Sequence, residues 1–332
     1  MEATYKIKAS TIKAAFNTIA AKLVTTAEKI QMLINLAQKL QKNPYTTEKL
    51  WSAVGLYERA EEMCNEEYPL LKARIKVGLA SVLQVIPEQS VELLLQAKAA
   101  YLESLPILQK LGSHLEVAEV QMNLGIVLQS LAPYNLARIT DSIQAYQQAL
   151  RVFTANEFPQ KYAILYNNIA IAYLSIAENP EEKNIFEKLA LQTFEEILQR
   201  INVLDYPQEY AMLQNNLGNV LQNLDNNHPI ENSLRALAAY DQALIVRNSL
   251  DTPLEYASTI VNKANALVNL PDDPQKPELG NQHNLAKANS YYQESLTIFT
   301  HHHQIEQVQI ITKFMQNLEV KLKQKLAVTC EI

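Results

Sequence analysis

The sequence predicts an all-α solenoid of about six helix pairs, closed at each end by a capping helix. Three observations lead there. One stretch is written several times: YPQEYAMLQNNLGNVLQNL at Tyr206–Leu224, FPQKYAILYNNIAIAYLSI at Phe158–Ile176 and TPLEYASTIVNKANALVNL at Thr252–Leu270. Fainter copies run from Tyr68 to Ile86 and from Ala118 to Leu131. A helical unit repeated at a fixed spacing marks a repeat array. Two independent ladders also share one period of about 45 residues: a small residue at Ala37, Ala80, Gly125, Ala170, Gly218 and Ala264, and an aromatic one at Tyr57, Tyr101, Tyr146, Phe194, Tyr240 and Tyr292. Finally, the alternating β-branched runs that announce strands are missing.

Taken in order, Thr4–Thr25 is an amphipathic helix. Tyr5, Ile12, Phe16, Ile19 and Leu23 share a face, with Lys6, Lys13 and Lys22 off it. A basic amphipathic helix can lie on an anionic membrane; at the start of a repeat stack it serves as a cap, and residues 1–26 are read so. The first pair follows. Ala27–Leu40 carries Ile30, Leu33, Ala37 and Leu40 on one stripe, and Thr47–Cys64 carries Leu50, Val54, Tyr57 and Ala60, with Trp51 among them.

The Tyr206 copy shows why the first helix of each later pair forms. Pro207 suits the first helical position, where a missing N–H costs nothing. Glu209 complements the positive end of the helix dipole. Leu213, Leu217, Leu221 and Leu224 recur at helical spacing. Gly218 and its counterpart Gly125 cost about 1 kcal/mol each against alanine, so they are expected at close helix contacts. The second helices carry an aromatic, then a small or aliphatic residue three positions on and leucine after it, as in Tyr146-Ala149-Leu150 and Tyr240-Ala243-Leu244. The array spans residues 27–303. The tail, residues 304–332, is a capping helix with Ile305, Val308, Ile311, Met315, Leu318 and Leu322 on its apolar side.

A second stripe on the first helices is polar. Asn215, Asn219, Gln222 and Asn223 share it, with Asn216 beside it; Asn167 and Asn168 match in the earlier copy, and Asn262, Asn265 and Asn269 in the later one. Asparagine is a mediocre helix former, so its recurrence needs a cause. The amides either face a ligand or tie adjacent repeats together. We expect Asn167, Asn215, Asn219, Gln222, Asn223 and Asn265 to line a concave groove. Asn168, Asn216 and Asn262 suit inter-repeat bonds. Ile126, Ile171 and Val268 would supply apolar selectivity.

The pairing of an N-L-G first helix with a second helix of the form A-x-x-x-Y-x-x-A-L, here Ala236, Tyr240, Ala243 and Leu244, resembles the tetratricopeptide repeat. The longer unit is similar to a bacterial variant with P-x-x-Y-A-x-x-x-N-N-L-G, an insert, then A-x-x-x-Y-x-x-A-L. The likeness covers about residues 27–300 and is best from Phe158 to Leu244. It implies six TPR-like pairs whose concave surface binds another protein or a peptide. The family's cationic clamp for a C-terminal carboxylate is not supported, since Met122, Asn167, Asn215 and Val261 occupy the comparable positions, with Arg74 the main exception.

Composition narrows the function. A net charge of −6 and a pI near 5.6 give no footprint for nucleic acid. No stretch is long and apolar enough to span a bilayer, and no secretory leader is evident. Cys64 and Cys330 stand alone, which fits a cytoplasmic setting. His301-His302-His303 and the paired glutamates point in divergent directions on a helix, so no metal site and no cofactor are expected. Nucleophile and phosphate-loop motifs are missing too. The sequence therefore predicts a non-enzymatic scaffold or adaptor holding a peptide or protein segment. The alternative is a regulator that senses a small ligand or signal peptide in the same groove.

Overall fold

The computed structural model describes residues 24–42, 46–87, 90–176, 179–224 and 228–329, with side chains as far as Lys321. The expected N-terminal cap, residues 1–26, lies outside these residues apart from its last three positions. The described residues form thirteen α-helices and two short 3₁₀ turns, with no strand among them. They belong to two compact units divided between Thr154 and Ala155.

Unit 1 holds three pairs: α1 (Thr26–Gln41) with α2 (Thr47–Met63), α3 (Pro69–Leu83) with α4 (Val91–Leu111), and α5 (His114–Leu131) with α6 (Ile139–Leu150). Unit 2 holds α7 (Pro159–Tyr173) with α8 (Pro180–Leu198), α9 (Pro207–Asn223) with α10 (Pro229–Leu244), and α11 (Pro253–Asn269) with α12 (Gln282–His301). It ends in α13 (Ile305–Thr329). Within each unit every helix packs on the next, and the first helices of neighbouring pairs also touch at α1–α3, α7–α9 and α9–α11. This is the nearest-neighbour stacking of a helical solenoid.

The helix starts follow from local chemistry. In α1 and α5, Thr25 with Glu28 and Ser113 with Glu116 form capping boxes, each side chain satisfying a backbone N–H of the other residue. Helices α3, α7, α9 and α11 open instead on Pro69, Pro159, Pro207 and Pro253. Their preceding residues, Tyr68, Phe158, Tyr206 and Thr252, make no side-chain cap. Proline at the first position removes one N–H that would otherwise lack a partner.

The two ladders meet inside the pairs. All six aromatics from Tyr57 to Tyr292 are buried. At two pairs the small residue must be glycine: a Cβ on Gly125 would lie 2.4 Å from Tyr146 Cε1, and one on Gly218 2.5 Å from Tyr240 Cε1. The ring occupies the space a side chain would need there. The tyrosine hydroxyls then find carboxamides on the first helix. Tyr57 Oη donates to Gln41 Oε1 at 3.2 Å, Tyr146 Oη to Gln129 Oε1 at 2.7 Å, and Tyr240 Oη to Asn219 Oδ1 at 2.8 Å. Tyr240 Oη also accepts from Gln222. Gln41, Gln129 and Gln222 stand at one repeat position, four residues after the small residue. Where the aromatic is Phe194, that position is Leu174. With no hydroxyl to satisfy, no amide is called for.

The pair α3–α4 departs from this scheme. Gln84 and Tyr101 hold the matching positions, yet Gln84 Oε1 and Tyr101 Oη are buried without a hydrogen-bond partner. Asn123 approaches the hydroxyl without completing a bond.

Candidate ligand groove

A line of carboxamides runs across the first helices of unit 2. Asn262 Nδ2 of α11 donates to Asn215 Oδ1 of α9 at 3.2 Å. Asn215 Nδ2 donates to Asn216 Oδ1 at 3.2 Å, and Asn216 Nδ2 donates to Asn167 Oδ1 of α7 at 2.6 Å. Asn167 Nδ2 continues to Asn168 Oδ1 at 3.2 Å. Five amides thus form one chain of hydrogen bonds through three repeats. Asn167 and Asn215 are only 5% and 8% exposed. The expectation that these two line an open groove is corrected. A buried amide must bond to something, and here the adjacent repeat supplies the partner. Asn216 and Asn262 bond across the repeats, Asn168 accepts from Asn167 within α7, and 167 and 215 belong to the same chain.

Further toward the C-terminal ends of these helices a groove opens, with a volume of about 580 Å³. Gln222 and Asn223 of α9 form one side. Asn265, Val268 and Asn269 of α11 form the next. Tyr292 of α12, 2% exposed, lies at the bottom. The opposite wall is α13, through Phe314, Asn317, Leu318, Val320 and Lys321. The Tyr292 and Phe314 rings are tilted, with centroids 5.9 Å apart.

Most of the groove amides are half-tied to the protein. Gln222 Nε2 donates to Asn262 O at 3.0 Å. Asn223 Nδ2 donates to Asn219 O at 2.8 Å. Asn265 Oδ1 accepts from Tyr292 Oη at 2.5 Å, and Asn269 Oδ1 accepts from Lys321 Nζ at 3.2 Å. These bonds take up one end of each amide. Gln222 and Asn223 offer carbonyl oxygens, while Asn265 and Asn269 offer N–H groups. Among the described residues no carboxylate lines the groove. Burial pushes the Tyr292 hydroxyl up to about 12, so it remains protonated and able to donate.

Of the residues expected at a groove, Gln222, Asn223, Asn265 and Val268 come together here. Asn219 stands behind them, accepting from Tyr240. Ile171 packs against the core of unit 2. Ile126 belongs to α5 of unit 1 and has no part in this groove. The α13 wall was not foreseen, because the tail helix reads as an end cap. Its signal was present in Asn317 and Lys321, which are four residues apart and so share a helix face.

Among the described residues no cluster of three or more metal-ligating side chains exists. The helical argument applied to the histidine triplet holds only for His301. His302 caps α12 and His303 adopts a left-handed backbone (φ 56°), while all three are exposed. No described helix is long and apolar enough to cross a membrane.

No family model matches the chain, and no curated protein does. Among solved structures it is similar to BtubC (BKLC) from P. vanneervenii, at 17% identity over 86% of this chain and 92% of that one, with a TM-score of 0.46. It is also similar to a Rap protein complexed with Competence and Sporulation Factor, at 14% identity over 93% and 80% of the two chains, with a TM-score of 0.44. At these scores the fold is defined by the chain's own helices and repeat contacts rather than by either likeness.

Proposed function

We propose that the chain is a non-catalytic interaction protein whose unit 2 groove holds an extended segment of another polypeptide. The observation that supports this most directly is the half-tied amide set. An extended backbone alternates N–H and C=O groups along its length. Gln222 and Asn223 meet the donors, and Asn265 and Asn269 meet the acceptors. Because the other end of each amide is held by the protein, ordering these side chains costs little on binding. Val268, Phe314 and Leu318 give apolar contact to side chains of the bound segment. The closed α13 side and the volume of about 580 Å³ also suit a short peptide or small ligand in a regulatory role.

The test is capture of partners from native lysate by the full chain, identified by mass spectrometry, beside Val268→Arg. Val268 is half-buried at the groove, and an arginine there fills it. Partners bound by the wild type and lost from a variant of unchanged melting temperature support the reading. A partner set that the substitution leaves intact sinks it.

A further inference from the structure

Away from the groove, the connections between successive pairs of unit 2 share one edge, as they must when helical hairpins stack in series. Large aliphatic side chains stand out along it. Leu204, between α8 and α9, is 89% exposed, and Leu250, between α10 and α11, is also 89% exposed. Ile245 is 64% exposed at the start of the second connection, and Ile305 71% at the end of the third. One exposed leucine is ordinary; four such residues on one edge require a cause.

The two leucines are also presented by the same device. Asn202 Oδ1 accepts from the backbone N–H of Leu204 and of Asp205, both at 3.0 Å, while Asn202 Nδ2 donates to Asp205 Oδ2 at 2.7 Å. Asn248 repeats this with Leu250 at 3.0 Å, Asp251 at 2.8 Å and Asp251 Oδ2 at 3.0 Å. Each leucine is held outward by a closed turn, so little freedom remains to be lost on binding. Carboxylates flank them: Asp205 and Glu209 at one turn, Asp251 and Glu255 at the next, and Glu306 at the third. Arg200 is an exposed cation beside the first turn. Arg247, in the second, is turned inward onto Thr259 Oγ1 at 2.8 Å.

We propose that this edge docks a basic amphipathic helix of a partner protein. The partner's apolar stripe would cover Leu204, Ile245 and Leu250, and its lysines or arginines would face Asp205 and Asp251. The spacing fits. Helices α9 and α11 are in contact, which sets their axes about 8–10 Å apart where they touch, and Leu204 and Leu250 each stand three residues ahead of one of them. Residues seven apart on a helix are separated by about 10.5 Å. The acid rim disfavours an anionic bilayer and a second copy of the same edge.

Two synthetic helical peptides of about 18 residues, or some 27 Å, test this by fluorescence anisotropy with the full chain. They share a leucine stripe and differ only in lysine or glutamate on the polar face. The lysine peptide binds, and the glutamate peptide binds at least about tenfold more weakly. Leu204→Asp with Leu250→Asp weakens the lysine peptide by about tenfold or more, although the substitutions add negative charge that alone would strengthen it. Leu204→Gln with Leu250→Gln behaves alike, and Val268→Arg has no effect. Three outcomes overturn the proposal. One is no binding, or binding indifferent to the leucines. Another is self-association in sedimentation that the double variant abolishes. The last is uptake on phosphatidylcholine vesicles that the double variant abolishes.

Discussion

Asn262 Nδ2 on α11 and Asn215 Oδ1 on α9 are joined by a hydrogen bond of 3.2 Å across 47 residues of sequence. It is one link of the amide chain that stitches three repeats. Breaking a link leaves a buried amide unpaired, at about 1–3 kcal/mol. Asn215→Ala is therefore expected to lower unfolding free energy by that order. In a double-mutant cycle with Asn262→Ala the two losses should not add. A groove-lining Asn215 would leave stability nearly unchanged on replacement; its burial, at 8% exposure, argues for the loss instead. Urea unfolding of the three variants decides it, and full additivity would remove the link.

The tyrosine hydroxyls give a matched comparison. Tyr240 Oη bonds Asn219 and Gln222, so Tyr240→Phe should cost about 1 kcal/mol or more, by removing the donor to Asn219 Oδ1 and leaving Gln222 Nε2 only its bond to Asn262 O. Tyr101 Oη is buried with no partner, so Tyr101→Phe should be neutral or stabilising. Equal losses in the two variants, measured by thermal unfolding, would contradict this assignment.

Gly218 is a packing residue. The nearest ring carbon of Tyr240 would be 2.5 Å from an added Cβ. That ring is wholly buried and held by two amides, so it cannot swing away. Gly218→Leu should destabilise by about 1–3 kcal/mol through overpacking, and Gly218→Ala in the same direction by less. A variant melting with the wild type would show that α9 and α10 separate freely.

Arg74 holds the Glu116 carboxyl well below the usual range, at about 2, through bonds of 2.6 and 3.4 Å that join α3 to α5. Because the folded state lowers this value, the pair stabilises above the ordinary carboxylate range. That contribution disappears as pH falls from about 4.5 to about 2. Glu116→Gln should flatten the dependence of the urea midpoint on pH in that window. If the wild type and the variant lose stability in parallel on acidification, the pair is not the cause.

The helices were legible in the sequence because their causes are local. Proline at the first turn, leucines at helical spacing, and a small-residue ladder in step with an aromatic one are all readable within one repeat. The pairing of Tyr240 with Gly218 was within reach for the same reason, since both lie in one hairpin. The asparagines were not. Helical periodicity says which residues share a face but not what that face meets, and a carboxamide is equally at home buried with a partner or open to a ligand. Asn167 and Asn215 are buried because Asn216 and Asn262, 49 and 47 residues further on, arrive to bond them. Asn265 faces a groove because α13 returns to form its far wall. Those are contacts between elements distant in sequence, so only the packed tertiary structure decides them.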